Sequence, residues 1–202
     1  MSSIQCTNGH IICASCKPKC MKVACDNEPY GCKEVVKHTQ RHAHIKSCVF
    51  SPCLCPQTDC NFRANTTVLG EHFKTNHQLR VPPFTYDEVF SAFIHIKDDV
   101  TIFQAMNDGQ LFVITCKTHY IVKKLNLYHI GPNKSKPRYS FEMLVLCQDR
   151  VLQLKSEAVN VEDRAYPPSG ALYVRYDYFK DGRLSMKIRI NKNDDAESGT
   201  DL

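Results

Sequence analysis

Residues 25 to 77 carry one cysteine/histidine pattern twice, and this repeat restricts the fold more than any other feature of the chain. Cys25, Cys32, His44 and Cys48 give C-x6-C-x11-H-x3-C, while Cys53, Cys60, His72 and His77 give C-x6-C-x11-H-x4-H. Corresponding positions are offset by 28, 28, 28 and 29 residues, a register that such rare residue types do not keep by chance. Thiolate sulfur and imidazole nitrogen suit tetrahedral zinc, and four protein ligands leave no open position for water or substrate. The pattern therefore predicts two closed, structural Zn2+ sites. Metal binding of this kind supplies about 10–16 kcal/mol of apparent folding energy at neutral pH, which so short a segment does not obtain from burial. The metal is expected to hold the fold and not to run a reaction.

Spacing leaves some ligand choices contested. His38 and His42 compete with His44, and the repeat register selects His44. Cys55 competes with Cys53, because Cys55-x4-Cys60-x11-His72-x4-His77 is close to the common finger with two cysteines and two histidines. Here too the register favours Cys53. Beyond Cys60, Leu69 stands three positions before His72 and Phe73 follows it, so a short helix buries Leu69 and Phe73 while His72 and His77 face the metal. Thr66 or Thr67 is placed to cap its start. Were this finger to read DNA, the base-contacting positions would be Asn65, Val68 and Glu71. Val68 offers no hydrogen bond and Glu71 repels phosphate, so nucleic acid is disfavoured as a partner.

Composition agrees with metal. Of 12 cysteines in 202 residues, ten lie between residues 6 and 60, among histidines and without an N-terminal apolar segment of the secretory kind. That favours metal in a reducing compartment, cytoplasmic or nuclear, over a secreted disulfide framework. No stretch approaches the roughly 18 apolar residues of a membrane span, so no membrane association is expected. The net charge of +5 divides unevenly: residues 1–79 hold 9 Lys/Arg against 5 Asp/Glu, and residues 80–202 hold 17 against 16. Three thiolates with one Zn2+ sum to −1 and two thiolates with one Zn2+ sum to zero, which trims the excess to that of a solvated surface.

After "RVPP" at residues 80–83 the texture changes to strands. Eight runs rich in β-branched and aromatic residues follow, from "FSAFIHI" to "RLSMKIRI". Asn107-Asp108-Gly109 and Lys180-Asp181-Gly182-Arg183 fit hairpin turns in which glycine takes a positive φ. Leu184, Met186, Ile188 and Ile190 alternate with Arg183, Ser185, Lys187 and Arg189, one face inward and one in water. So many short strands in about 110 residues imply a sandwich or barrel. Cys116, Cys147, His95, His119 and His129 are isolated in sequence and read as structural residues, and no catalytic motif is present. Tyr173, Tyr176 and Tyr178 read equally as core or as interface anchors. The terminal "KNDDAESGTDL" is acidic and polar and is expected to be disordered.

Residues 1–22 contain Cys6, His10, Cys13 and Cys16 as C-x3-H-x2-C-x2-C, which resembles the middle of a RING domain of the seven-in-absentia (SINA/Siah) type. A complete cross-brace needs eight ligands; the opening C-x2-C and the closing C-P-x-C are missing, and Cys20 stands alone. The doubled zinc pattern, the "CLCP" run and the final strand "LSMKIRI" are similar to the same family, especially its plant SINA-like members. The "CLCP" run, set beside the family's zinc fingers, again points to Cys53. The resemblance implies an incomplete RING remnant over 1–22, a Siah-type double zinc finger of α+β character over 23–79, a TRAF-like antiparallel β-sandwich that binds substrate over 80–191, and the acidic tail over 192–202. It further implies a RING-type E3 ubiquitin-protein ligase. In that family the RING docks a ubiquitin-conjugating enzyme, the sandwich holds a substrate protein destined for proteasomal degradation, and the molecules pair as dimers. Transfer then proceeds by proximity, with no catalytic side chain from the ligase. The incomplete RING raises a second expectation, an inactive substrate-binding adaptor that dimerises with complete family members.

Overall fold

The computed structural model describes residues 21–132, 139–147, 150–161 and 170–193 in full, together with the backbone of residues 4–5 and 11–12. Strands β1 (Ile4–Gln5) and β2 (Ile11–Ile12) pair antiparallel. Cys6, His10, Cys13, Cys16 and Cys20 of the expected RING remnant lie outside the described residues, as do residues 194–202 of the tail.

Two small modules of one plan come next. In the first, β3 (Lys22–Ala24) pairs with β4 (Val35–Lys37), and helix α1 (Arg41–Ser47) follows. In the second, β5 (Cys53–Leu54) pairs with β6 (Arg63–Ala64), and helix α2 (Thr66–Asn76) follows. The N-cap of α2 is Asn65 and not a threonine: its backbone is extended, and its Oδ1 accepts from the amide of Val68 at 2.9 Å. This side chain satisfies one of the amides that a helix start leaves without an intrahelical partner.

The remainder is a β-sandwich. One sheet has five strands in the order β14 (Leu172–Arg175), β11 (Val122–Ile130), β10 (Leu111–His119), β9 (Val100–Ala105) and β7 (Pro83–Phe84). The other has four, in the order β13 (Arg150–Glu157), β12 (Tyr139–Cys147), β15 (Arg183–Lys192) and β8 (Val89–His95). All pairs are antiparallel except β7 with β9, a short parallel pairing at the sheet edge. A proline is tolerated there because an edge strand leaves its missing donor on the unpaired side. All eight runs read from sequence form strands, though "ALYVRYDYF" keeps strand only over Leu172–Arg175 and turns to 3-10 helix at Tyr176–Tyr178. Gly109 and Gly182 take φ of 68° and 73°, as their turns require. The Asp181-Gly182 turn does not join neighbours in one sheet, however. Lys180 bridges to Arg183, and the chain passes there from one sheet to the other.

Alternation builds the core. Phe112, Ile114 and Cys116 of β10 point between the sheets, where Leu125, Leu127, Phe141, Met143, Val145, Met186 and Ile188 meet them. Phe84 lies 5.1–5.5 Å from the rings of Phe90, Tyr86 and Phe112, an aromatic group at the β7 end of the interior. The intervening residues of the five-stranded sheet are buried too. Leu111, Val113, Ile102 and Val100 pack on its other side against Leu69 and Phe73 of α2. The second module is thus a third layer over that sheet, with Leu79 and Val81 packed against the same cluster.

Candidate metal centres

Each module brings four donors together at the junction of its hairpin and its helix. Cys25, Cys32, His44 and Cys48 form one group, and Cys55, Cys60, His72 and His77 the other; within each group the donor atoms lie within 4.8 Å of one another. In the first, the Cys25 and Cys48 sulfurs are 3.9 Å apart and the Cys32 sulfur is 3.5 Å from His44 Nε2. In the second, Cys55 Sγ is 3.4 Å from His77 Nε2 and Cys60 Sγ is 3.3 Å from His72 Nε2. Around a tetrahedral ion with metal–sulfur bonds of about 2.3 Å and metal–nitrogen bonds of about 2.0–2.1 Å, neighbouring sulfurs stand about 3.8 Å apart and sulfur and nitrogen about 3.6 Å apart. The observed edges match. No fixed carboxylate or open donor position belongs to either group, so the arrangement can hold a metal ion and is not built to activate water.

The fourth corner of the second group is Cys55, not Cys53, which corrects the choice made from the repeat. The reason lies in the hairpins. The amide of Cys25 donates to the carbonyl of Glu34, two residues beyond Cys32, at 3.0 Å; the amide of Cys55 donates to the carbonyl of Phe62, two residues beyond Cys60, at 2.9 Å. Strand register agrees: Val23 pairs with Val36, and Cys53 pairs with Ala64. Cys53 is therefore the counterpart of Val23, an apolar strand residue, and packs with Leu69 and Phe73. Its sulfur lies 3.6 Å from the Ser51 carbonyl oxygen. Two residues along a strand is about 6–7 Å, more than the span of the donor set. The first hairpin needs two more residues than the second because its turn contains the 3-10 segment Glu28–Tyr30 closed by Gly31 at φ 104°, whereas the second turns at Asp59, φ 61°. A repeat aligned on whole-sequence offsets could not see this length difference. The C-x4-C spacing of the common finger was the signal that could.

The remaining predicted positions are brought together. His44 comes from α1 and Cys48 is its C-cap residue; His72 comes from α2 and His77 is its C-cap residue. His38 and His42 stay outside the donor group. Phe62, not anticipated from sequence, stacks on the His72 ring at 4.1 Å and 12°, fixing its plane. The His72 imidazole is held below its ordinary value by burial and then by the His77 charge, which keeps it neutral and ready to ligate. Burial raises the Cys32 and Cys55 thiols to about 11, so a metal must displace protons from them. Burial also pushes Cys48 up, but hydrogen bonds from Asn27, from the Phe50 backbone and from its cysteine neighbours outweigh it, and Cys48 lies below the ordinary thiol value.

The isolated residues of the sandwich differ in burial, and His119 is exposed. Cys116 is buried between the sheets, and His129 sits 2.8 Å from Gln110 Oε1. Tyr178 is buried, whereas Tyr173 and Tyr176 are exposed. Among the described residues no helix is long and apolar enough to cross a membrane.

Two Cys/His modules, the second layered on a β-sandwich, define the class: a pair of small modules that can each hold a metal ion, followed by an all-β sandwich. No family model matches the chain. Among curated proteins it is similar to several from Arabidopsis thaliana. E3 ubiquitin-protein ligase SINA-like 4 is 27% identical, with 94% of this chain and 69% of that protein covered. E3 ubiquitin-protein ligase SINA-like 8 is 28% identical, with 96% and 82% covered. E3 ubiquitin-protein ligase SINA-like 10 is 29% identical over 54% of this chain, and the match spans only 39% of that protein. The chain is thus similar, over nearly its whole length, to SINA-like proteins.

Proposed function

We propose that this chain is a SINA-like component of ubiquitin ligation, in which the β-sandwich holds a substrate protein and the two modules each carry one structural Zn2+. The carrying observation is joint. Alignment with SINA-like 4 and SINA-like 8 runs through 94% and 96% of the chain, and the two Cys/His groups have the edge lengths of tetrahedral cages. In this reading the leading role is that of an E3 ubiquitin-protein ligase. Residues toward the N-terminus meet a ubiquitin-conjugating enzyme, the sandwich meets the substrate, and aminolysis of the ubiquitin thioester becomes effectively intramolecular. The ligase supplies position and no attacking side chain. Modification marks the substrate for proteasomal degradation, and the chain works in the cytoplasm or nucleus, alone or paired with a second family member.

The lack of a closing C-P-x-C after Cys16, where Cys20 stands alone, favours a second reading, a substrate-binding adaptor without ligase activity. Autoubiquitination with purified activating enzyme, conjugating enzymes and this chain separates the two. Chelator-sensitive ubiquitin chains on the protein are the ligase result. No transfer, with metal content intact and with inhibition of a complete family member, is the adaptor result.

A further inference from the structure

The two sheets of the sandwich differ in what covers them. The five-stranded sheet has its partner sheet on one face and α2 over the β9–β10 part of the other. The four-stranded sheet has an inner face in the core, while its outer face carries large apolar side chains in the open. Strand register sets three of them at one level: Phe93 of β8 pairs with Ser185 of β15, and Leu146 of β12 pairs with Val151 of β13. The pairing of Val145 with Met186 puts Leu146 beside Ser185, so the row crosses all four strands. Phe93, Leu146 and Val151 are 66%, 52% and 59% exposed, and Val89 on the same face is 50% exposed. An apolar row of this kind, flanked by charge, marks an interaction site more often than a plain solvated surface.

The charge around the row has one sign in excess. Outward positions of the four strands carry Arg183, Lys187, Arg189 and Lys155 against Glu142 and Glu157. Glu142 is already engaged, hydrogen-bonded by Gln153 and 3.3 Å from Lys155 Nζ. Arg189 stands opposite Glu142 in register, which leaves Arg183 and Lys187 of β15 facing solvent along the centre of the sheet, on either side of the level of Ser185. The size of the face decides further. Four strands at about 4.8 Å spacing and about seven residues at 3.3 Å each give a plane on the order of 450 Å2, about half of the roughly 800 Å2 per partner in a standard interface. A second copy of the chain would need more area, and it would set the same cations against one another.

We propose that the outer face of the four-stranded sheet is the docking surface for an acidic protein segment that bears large apolar side chains, with Phe93, Leu146 and Val151 covered by those side chains and Arg183 and Lys187 paired with its carboxylates. Nucleic acid fits less well, because phosphate would meet the cations but leave the apolar row uncovered. The chain's own acidic residues 194–202 offer only Ala196 and Leu202 as apolar groups, too few to cover it. The proposal rests on the reading of the sandwich as the substrate-binding domain and names the substrate chemistry. Its test is a binding measurement, so its failure leaves the ubiquitin reading untouched.

The test pans a random 16-residue peptide display library against the full-length protein, with counter-selection on a Phe93→Ser variant, and measures the selected peptides by fluorescence anisotropy. The expected peptides carry more Asp and Glu than Lys and Arg and at least two large apolar residues. Their affinity should fall about 10-fold or more with Phe93→Ser and with Lys187→Glu, and should weaken as salt rises. Both positions are outward-facing, and unchanged circular dichroism and melting confirm the fold. Restored binding of the Lys187→Glu protein to a peptide with one Glu replaced by Lys would fix the pairing. The proposal is overturned if no selected peptide depends on Phe93, or if the selected peptides are neutral or basic. It is overturned equally if phosphatidylserine vesicles bind with the same dependence on Phe93 and Lys187, if sedimentation shows a self-association that Phe93→Ser abolishes, or if deleting residues 194–202 tightens peptide binding 10-fold.

Discussion

The first module buries Cys25, Cys32 and Cys48 with Phe50 packed against them; the second buries Leu69 and Phe73 completely, against Ile102, Leu111 and Val113 of the sandwich. The two share hairpin, helix and donor geometry, yet they differ in what else holds them. With so little apolar surface in its cluster, the first would need an ion held by its four donors to supply its folding energy. The second has its four-donor group on one side of α2 and a hydrophobic layer on the other. One link joins them: Asn65, whose Oδ1 caps α2, also donates from Nδ2 to the carbonyl of Tyr30 at 2.8 Å. A repeated motif has thus been put to two uses, an outer module whose buried cluster is its donor group and a module whose helix also serves as a layer of the sandwich.

The difference is broken or sharpened most strongly by removing one ligand from each. Cys32→Ala should forfeit most of the about 10–16 kcal/mol of apparent metal-dependent folding energy in its module, exposing residues 21–50 to hydrogen exchange while the sandwich melts as before. His72→Ala should lose one ion as well, but the sandwich transition should fall with it, because α2 covers the five-stranded sheet. Equal effects on the sandwich in both variants would erase the distinction. Next in size, Phe73→Ala should cost about 3–5 kcal/mol in the unfolding of the sandwich by urea, although Phe73 binds no metal.

Smaller again is Asn65→Ala, which removes both the cap and the link to Tyr30. About 2 kcal/mol is expected from the two together, seen as faster exchange in α2 and loosening of the first module, with metal content unchanged.

Acidity gives a last contrast. In the chelated second module His72 sits below its ordinary value of 6.5, so as pH falls through that value the unfolded chain takes up the proton first and stability is lost. Cys55 is raised from 9.0 to about 11, so its contribution is present below pH 9 and lost as pH rises through 11. The chelated protein should therefore be most stable between about pH 6.5 and 9. The metal-bound protein should lose only the acid side, since metal replaces the thiol protons. A melting series against pH, with and without chelator, reads this directly.

Much of this was legible from residue types and spacing. The strands of the sandwich announced themselves by alternation, and Leu69 and Phe73 by their place around His72. Three things were hidden. That those two side chains serve the sandwich and not an isolated finger is a long-range fact, carried by residues such as Val113 whose burial on both sheet faces no local pattern distinguishes. The helix cap fell on Asn65 rather than a neighbouring threonine, a shift of one position within a run of capping residues. The exchange of Cys53 for Cys55 depended on hairpin length, because turn residues absorb insertions that a fixed offset counts as register.

Native mass spectrometry of the full chain, with Cys53→Ala and Cys55→Ala beside it, bears most directly on the paired cages. Cys55→Ala should hold one zinc ion fewer than the unaltered protein, and Cys53→Ala should hold as many. An ion lost with Cys53→Ala and kept with Cys55→Ala would contradict the donor set, and no ion lost with either would contradict the second cage altogether.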